Sequence, residues 1–167
     1  MIATGATAKK LRMPGSEKCV EAVEYLSGKA VGDNVLIVGG GLTGCEIAYD
    51  LFLKGKKPII VEALDDLMKA PGLCLANSSY LRDFFKANKV PVYLESKLLQ
   101  IGDGFCMIST KDGKSLKIKT DSIITCIGYR PAPLAVKGKN VHLVGDALKV
   151  GNLRTVVWRA WEVAEKI

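Results

Sequence analysis

Apolar residues along this chain occur in short continuous runs, which are separated by glycine-rich turns and by stretches with helical spacing. Short runs rich in Val and Ile are typical of strands in a parallel sheet that is covered on both faces. Five runs have this character: residues 34–38, 58–61, 90–94, 122–127 and 141–144. A helix is predicted over 42–54, between the first two runs. A strand, a glycine-rich turn, a helix and a second strand in succession predict a right-handed βαβ unit.

Two further helices are predicted from apolar spacing. One begins at Asn77 or Ser78 and ends near Asn88. The other begins at Ser16 and ends at Gly28, with one apolar face: Cys19, Val20, Val23 and Leu26.

The remaining segments carry weaker patterns. The pattern of residues 1–7 predicts the end of a strand, which stops at Gly5. A basic connector is predicted to follow through Gly15. Asp112-Gly113 predicts the turn of an antiparallel hairpin over 111–119. A last helix is predicted from Asn152, with this apolar stripe: Leu153, Val156, Val157, Ala160, Ala164 and Ile167.

Composition and charge narrow the class of protein. The 167 residues, 49% hydrophobic and 25% charged, correspond to about one folded domain and exclude a disordered or fibrous chain. The longest stretches without charge, 34–45 and 70–81, are too short to span a membrane, and the N-terminus lacks a secretory signal. We therefore expect a cytoplasmic protein without a membrane partner.

The formal charge of +7 is concentrated in part on the predicted hairpin. Its lysines have no aromatic platform or recognition helix beside them, which favours a solvated face over nucleic-acid binding: Lys111, Lys114, Lys117 and Lys119.

Metal and nucleophilic chemistry have little support in the sequence. The five cysteines show no CxxC or other metal-ligand spacing, so we expect no metal site and interpret them as reduced core residues: Cys19, Cys45, Cys74, Cys106 and Cys126. The single histidine, His142, is interpreted as structural, at a strand edge. Two Tyr-x-x-x-Lys matches, at Tyr25 and Tyr93, lack the context of a dehydrogenase pair, so no catalytic residue is assigned.

The strongest motif is a G-x-G-x-x-G that follows the first buried run and opens a helix: Gly39, Gly41 and Gly44. In such a motif the glycines allow a tight turn, an approach of a pyrophosphate and close helix packing. Glu62 ends the next run, where a carboxylate accepts ribose hydroxyls, and no arginine follows it, which favours NAD over NADP. A methyltransferase that binds S-adenosylmethionine shares this pattern, and a purely structural glycine turn is a further alternative.

Three other segments occur in order around this motif: Ile2-Ala3-Thr4-Gly5-Ala6, Thr125-Cys126-Ile127-Gly128-Tyr129-Arg130-Pro131 and Val144-Gly145-Asp146-Ala147. With them the chain resembles the two-dinucleotide flavoprotein reductases, in which an NAD domain is inserted into an FAD domain. The resemblance implies that Asp146 contacts FAD, that Gly39, Gly41, Gly44 and Glu62 contact NAD(H), and that Glu46 lies near the nicotinamide. Gly128, at the turn between the domains, is included among the cofactor-binding residues. An exposed acid favoured by the helix dipole remains the alternative for Glu46.

The end of the chain narrows the resemblance. No CxxC interrupts the inserted domain, and residues 151–161 are similar to the C-termini of 2-enoate and 2,4-dienoyl-CoA reductases of the old-yellow-enzyme type. Such enzymes begin with an FMN-binding barrel and an iron–sulfur cluster, which are expected only outside this chain. The expected division is an NAD(H)-binding domain over 16–128, flanked by FAD-domain remnants over 1–15 and 129–167.

The expected fold is therefore a three-layer, Rossmann-like α/β domain with a parallel sheet and an antiparallel β-hairpin. The expected function is to pass hydride from NADH to FAD in an enoate or dienoyl-CoA reductase, with the isolated fragment inactive. Its expected partners are the missing FAD and FMN domains of the same polypeptide and, through the last helix, a second copy. A free-standing NAD-sensing module and, less favoured, the methyltransferase remain alternatives.

Overall fold

A computed structural model describes residues 1–167. Its helices are α1 (Ala22–Leu26), α2 (Leu42–Leu53), α3 (Leu75–Ala87) and α4 (Leu153–Ala164). Its strands are β1 (Ala6–Ala8), β2 (Val20–Glu21), β3 (Asn34–Val38), β4 (Lys57–Val61), β5 (Val92–Tyr93), β6 (Lys97–Ile101), β7 (Phe105–Ser109), β8 (Ser115–Lys119), β9 (Ser122–Thr125) and β10 (Tyr129–Pro131). None of the helices combines the length and the apolar character needed to cross a membrane.

The Cα packing divides the chain into two compact units. Lys10–Ile127 form one unit, and Met1–Lys9 with Gly128–Ile167 form the other.

The Lys10–Ile127 unit is built on a five-stranded sheet with the order β2-β9-β3-β4-β5, in which every neighbouring pair is parallel. β3 and β4 pair in register from Asn34 with Lys57 to Val38 with Val61. The βαβ unit and its parallel sheet are therefore confirmed.

Alternate residues of β3 supply two separate apolar clusters. Val35 and Ile37 pack with residues of the helices, whereas Leu36 and Val38 pack with residues of β7 and β8. This strand needs apolar side chains at consecutive positions because both faces of the parallel sheet are covered. The three-layer α/β fold class is thus confirmed, with helices, parallel sheet and antiparallel sheet as its layers.

The antiparallel layer has three strands, β6-β7-β8, where the sequence predicts a two-stranded hairpin. The turn at Asp112-Gly113 is confirmed, since the Thr110 amide donates to the Lys114 carbonyl at 2.8 Å. The sequence pattern does not predict β6, because a bulge between Leu98 and Gln100 interrupts the alternation of apolar and polar residues and most of its side chains are exposed.

The helix predicted over 16–28 is wrong for most of its length. Residues Ser16–Lys18 form a 3₁₀ turn, and Val20 pairs with Ile124 as part of β2. Only α1 is helical, and it buries Ala22 and Tyr25 rather than the predicted Val23 and Leu26. The pairing of Val20 with a strand a hundred residues later outweighs the local helical spacing.

Other boundaries also differ from the sequence prediction. The run at 90–94 forms only the short strand β5, and α3 begins at Leu75 after Cys74 rather than at Asn77 or Ser78. In the 141–144 run the only pairing is an isolated bridge between Leu143 and Ile2.

In the other unit, β1 follows Gly5 and pairs antiparallel with β10, whereas the strand predicted before Gly5 is reduced to the bridge at Ile2. α4 begins where predicted, because Asn152 and Thr155 form a reciprocal capping box. No side chain of α4 is fully buried.

Candidate functional site

The glycine turn after β3 is a close backbone contact. Gly39 has a φ of +107°, and a Cβ there would lie 2.4 Å from the Cys126 carbonyl oxygen. A Cβ on Gly44, in the first turn of α2, would lie 2.0 Å from the Gly39 carbonyl oxygen. The turn therefore tolerates only glycine at these two positions, since real Cβ atoms do not approach backbone so closely.

Gly41 differs from these two glycines because nothing lies within 4 Å of the place where its Cβ would be. It is the N-cap of α2 and supplies no side-chain cap. The first amides of an α-helix have no acceptor within the helix and attract anions. Open space at such a helix start fits a phosphate-bearing ligand.

Glu62 lies directly after β4, at the edge of the sheet where the glycine turn begins. Its Oε2 accepts a hydrogen bond from the Gly40 amide at 2.5 Å, and its Oε1 accepts one from the Leu64 amide at 2.8 Å. A carboxylate has about four acceptor positions, so two remain for hydroxyl donors. The side chain is half-buried, which leaves it accessible to a ligand.

Gly40 is a site residue that sequence reasoning missed. A Cβ there would lie 2.5 Å from Leu67 Cδ2. Its carbonyl oxygen accepts hydrogen bonds from the Met68 amide at 2.7 Å and from the Cys45 thiol at 3.3 Å. The sequence does contain a signal for Gly40, which is the middle one of three consecutive glycines although the motif itself needs only Gly39 and Gly41.

Arg82 is the second missed residue: no arginine follows Glu62 in the sequence, but Arg82 reaches the segment after Glu62 from a distant helix. From α3, its Nε and Nη2 donate to the Asp66 carboxylate at 3.1 and 2.9 Å, and Nη2 also donates to the Leu67 carbonyl. The pKa of Asp66 is lowered by its hydrogen bonds from Arg82. Sixteen residues separate the pair, and no local pattern marks it.

Of the remaining predicted site residues, Glu46 follows the glycine turn on the same helix, whereas Gly128 and Asp146 belong to the other unit. Glu46 is exposed on α2. In the other unit, Asp146 lies in a 3₁₀ turn and accepts from the Gly151 amide at 3.0 Å, while the Gly128 carbonyl accepts from the Lys9 amide at 2.9 Å. The structure thus places Gly39, Gly41, Gly44 and Glu62 at one edge of one sheet.

All five cysteines are free. Burial raises the pKa of Cys45 and Cys126 to about 12 and that of Cys106 to about 11. Cys74 is exposed, which corrects its interpretation as a core residue: it precedes α3, whose first turn points to solvent.

The remaining titratable groups add no metal chemistry. No group of three or more His, Cys, Asp or Glu side chains is placed to hold a metal ion. His142 accepts a hydrogen bond from the Ile2 amide through its carbonyl, outside any regular strand.

Comparison with known proteins gives a matching family and two similar relatives. The family model described as pyridine nucleotide-disulphide oxidoreductase matches residues 1–155. Over its full length the chain is similar to cinnamate reductase of Clostridium sporogenes, with 36% identity over 26% of that protein. It is also similar to NADH oxidase of Thermoanaerobacter brockii, with 30% identity over 27% of that protein. The chain thus spans about a quarter of the length of these relatives.

Solved structures show a similar fold. A 2-naphthoyl-CoA reductase complexed with 2-naphthoyl-CoA matches 99% of this chain and 26% of its own, with a TM-score of 0.87 and 21% identity. The bacillithiol disulfide reductase of Staphylococcus aureus matches 77% of this chain and 40% of its own, with a TM-score of 0.65 and 21% identity.

Proposed function

This chain belongs to the pyridine nucleotide-disulphide oxidoreductase family, and on that premise we propose that its Lys10–Ile127 unit binds NADH for transfer of hydride to FAD. The chain is part of an oxidoreductase that uses FAD and NAD(H). Membership of this family argues against the methyltransferase alternative, since the glycine turn and acidic strand end then belong to a dinucleotide site.

The observation that carries the proposal is the arrangement of Gly41 and Glu62 about the glycine turn. Gly41 offers open space at the start of α2, and Glu62 presents a half-buried carboxylate at the end of the adjacent strand. In the proposal, the amides of the first turn of α2 bind the pyrophosphate and Glu62 accepts the hydroxyls of the adenosine ribose.

The same arrangement supports a preference for NADH over NADPH. A 2′-phosphate beside Glu62 would meet a carboxylate and the nearby acidic side chains of Asp65 and Asp66. The guanidinium of Arg82, which could otherwise favour a phosphate, is already bound in a bidentate pair with Asp66. In the proposal, repulsion by the carboxylates is therefore the larger effect on a 2′-phosphate.

The residues of the chain serve to bind and place the cofactors. The chemistry that the cofactors supply when bound is hydride transfer from NADH to FAD. We assign Glu46 a position near the nicotinamide and Asp146 to the flavin side, as the sequence resemblance implies, and keep Gly128 as a cofactor-binding residue at the turn between the domains. Asp146 is held by the Gly151 amide, which fixes its carboxylate for a hydroxyl donor.

The larger enzyme is proposed to be a reductase of activated C=C bonds of the enoate or dienoyl-CoA type. Similarity to cinnamate reductase along the whole chain supports this substrate class. FMN and the iron–sulfur cluster would be bound by regions outside these residues. The isolated chain is proposed to lack reductase activity and to remain cytoplasmic.

Calorimetric titration of the 167-residue chain with NADH and with NADPH tests the proposal. We expect NADH to bind and NADPH to bind more weakly. Tighter binding of NADPH would contradict the assigned role of Glu62, and binding of neither nucleotide would contradict the assignment of the site.

A further inference from the structure

We propose that Arg82 and Asp66 are a positioning pair that sets nucleotide affinity by holding residues 66–68, the last part of the segment 62–68, against the glycine turn. The proposal rests on the proposed function, because it concerns the same nucleotide site. Neither residue needs to touch the nucleotide, since the effect passes through the backbone of Gly40.

The first step is the attachment of the segment to α3. Arg82 binds both oxygens of the Asp66 carboxylate and also donates to the Leu67 carbonyl. Asp66 Oδ1 in turn accepts from the Leu67 amide at 2.8 Å. A planar guanidinium that makes three such bonds fixes orientation as well as distance, which a single flexible ammonium does not.

The second step joins the segment to the glycine turn. Leu67 is 5% exposed and its side chain fills the space that a Cβ on Gly40 would need. The Met68 amide donates to the Gly40 carbonyl at 2.7 Å. Together with the bond from the Gly40 amide to Glu62, both backbone polar groups of Gly40 are bound by this one segment.

The first residues of the segment are also held by the chain at 93–96, because the Glu62 amide donates to the Tyr93 carbonyl and the Ser96 and Glu95 amides donate to the carbonyls of Glu62 and Leu64. After Leu64 the segment makes no backbone hydrogen bond to a helix or strand. It contains no helix or strand, and its residues 63–66 are exposed. Met68 has a φ of +51°, a conformation that a residue with a side chain adopts only when its surroundings impose it. Without the Arg82 bonds, we expect residues 66–68 to leave this conformation and the Gly40 carbonyl to lose its hydrogen bond from Met68, so that the glycine turn beside the nucleotide loses its fixed position.

The neighbouring Asp65–Lys69 ion pair is a matched control. It joins Asp65 of the segment to Lys69 directly after it, with Lys69 Nζ 2.6 Å from Asp65 Oδ1, and both side chains are more than half exposed. No hydrogen bond links either side chain to Gly40, Leu67 or Met68. Lys69→Gln therefore removes a cation beside the segment without breaking the path to the glycine turn.

The experiment compares Arg82→Gln, Arg82→Lys, Asp66→Asn and Lys69→Gln with the unmutated chain. The amide resonance of Gly40 is followed by ¹H–¹⁵N NMR, and the Kd values for NADH and for ADP-ribose are measured by calorimetry. In Arg82→Gln and Asp66→Asn we expect the Gly40 resonance to shift and both nucleotides to bind about fivefold more weakly. Arg82→Lys should give an intermediate effect, and Lys69→Gln none.

The two readouts distinguish a failure of the role proposed for the Arg82–Asp66 pair from a failure of the proposed function. An unshifted Gly40 resonance in folded Arg82→Gln or Asp66→Asn overturns the proposal, and so does a shifted resonance with unchanged nucleotide affinity. Equal effects in Lys69→Gln would also overturn it, because charge alone would then suffice. If the unmutated chain binds no nucleotide, the proposed function and the pair's role in affinity both fail, and the Gly40 resonance alone decides whether the pair holds the turn. Asp66→Asn retains Arg82 on α3 and serves if the Arg82 variants do not fold.

Discussion

The Gly40 amide donates a hydrogen bond of 2.5 Å to the Glu62 carboxylate. Gly40 follows β3 and Glu62 follows β4, and the last residues of these strands, Val38 and Val61, are paired in the sheet. The carboxyl ends of two parallel strands thus bring the glycine turn and the acidic residue together, as expected at the ligand-binding edge of an open α/β sheet.

Glu62→Gln should weaken NADH binding and narrow the preference over NADPH. An amide keeps one acceptor for Gly40 but loses the charged acceptor for ribose hydroxyls, which costs about 1 to 3 kcal/mol. Calorimetry with both nucleotides measures the change. Asp83→Asn, an exposed carboxylate on α3, is the control, and equal losses in both variants would mean that general charge and not Glu62 decides.

Gly44→Ala should destabilise the fold. The added Cβ would lie 2.0 Å from the Gly39 carbonyl oxygen, which is backbone and cannot rotate away. Overpacking costs about 1 to 3 kcal/mol, and this contact belongs at the upper end, above the helix propensity that alanine gains. Urea denaturation gives the free energy of unfolding. An unchanged midpoint would show that the glycine turn is looser than described here.

Gly41→Ala should leave the fold intact and weaken nucleotide binding. Its Cβ meets nothing within 4 Å, and loss of a glycine N-cap costs only about 1 kcal/mol or less. The methyl group would instead occupy the space proposed for the pyrophosphate. Parallel measurement of the urea midpoint and of the NADH Kd tests both statements, and undiminished affinity would place the phosphates elsewhere.

Thiol labelling at pH 8 should modify Cys74 first. Burial raises the pKa of Cys45 and Cys126 to about 12, so their reactive thiolate form is scarce at pH 8 and becomes abundant only near pH 12. Cys74 is exposed, so the reagent reaches its thiol directly. Mass spectrometry after brief alkylation identifies the modified residue. Cys74→Ser should remove the fast phase, whereas rapid labelling of Cys45 would contradict its buried position.

The exposed face of α4 should make the chain associate or leave this helix poorly protected. Val157, Trp158 and Trp161 are each more than half exposed, which is unusual for large apolar side chains on one helix. Light scattering reports association, and hydrogen exchange reports protection of residues 153–164. Trp161→Lys should reduce association. A monomer with α4 protected as well as β3 would show that the helix needs no further partner.

Local patterns in the sequence were enough to predict the βαβ core. The apolar run at 34–38, the glycines at 39, 41 and 44 and the acid at 62 lie within thirty residues, and each depends on its immediate neighbours. Backbone conformation and close approach at a tight turn restrict residue type directly, so the glycines identify the turn. The parallel sheet and the three-layer class followed from these elements and are confirmed.

Tertiary structure alone decided the features that depend on distant pairing. Val20 became a strand because it pairs with Ile124, and β6 formed because β7 offered a free edge, although neither segment has a strong strand pattern. The Arg82–Asp66 pair and the support of Gly40 by Leu67 and Met68 arise from α3 packing beside the segment after β4. The sequence separations of such contacts follow neither the helical nor the strand period, so no local pattern predicts them. They stabilise the protein only once the chain has folded.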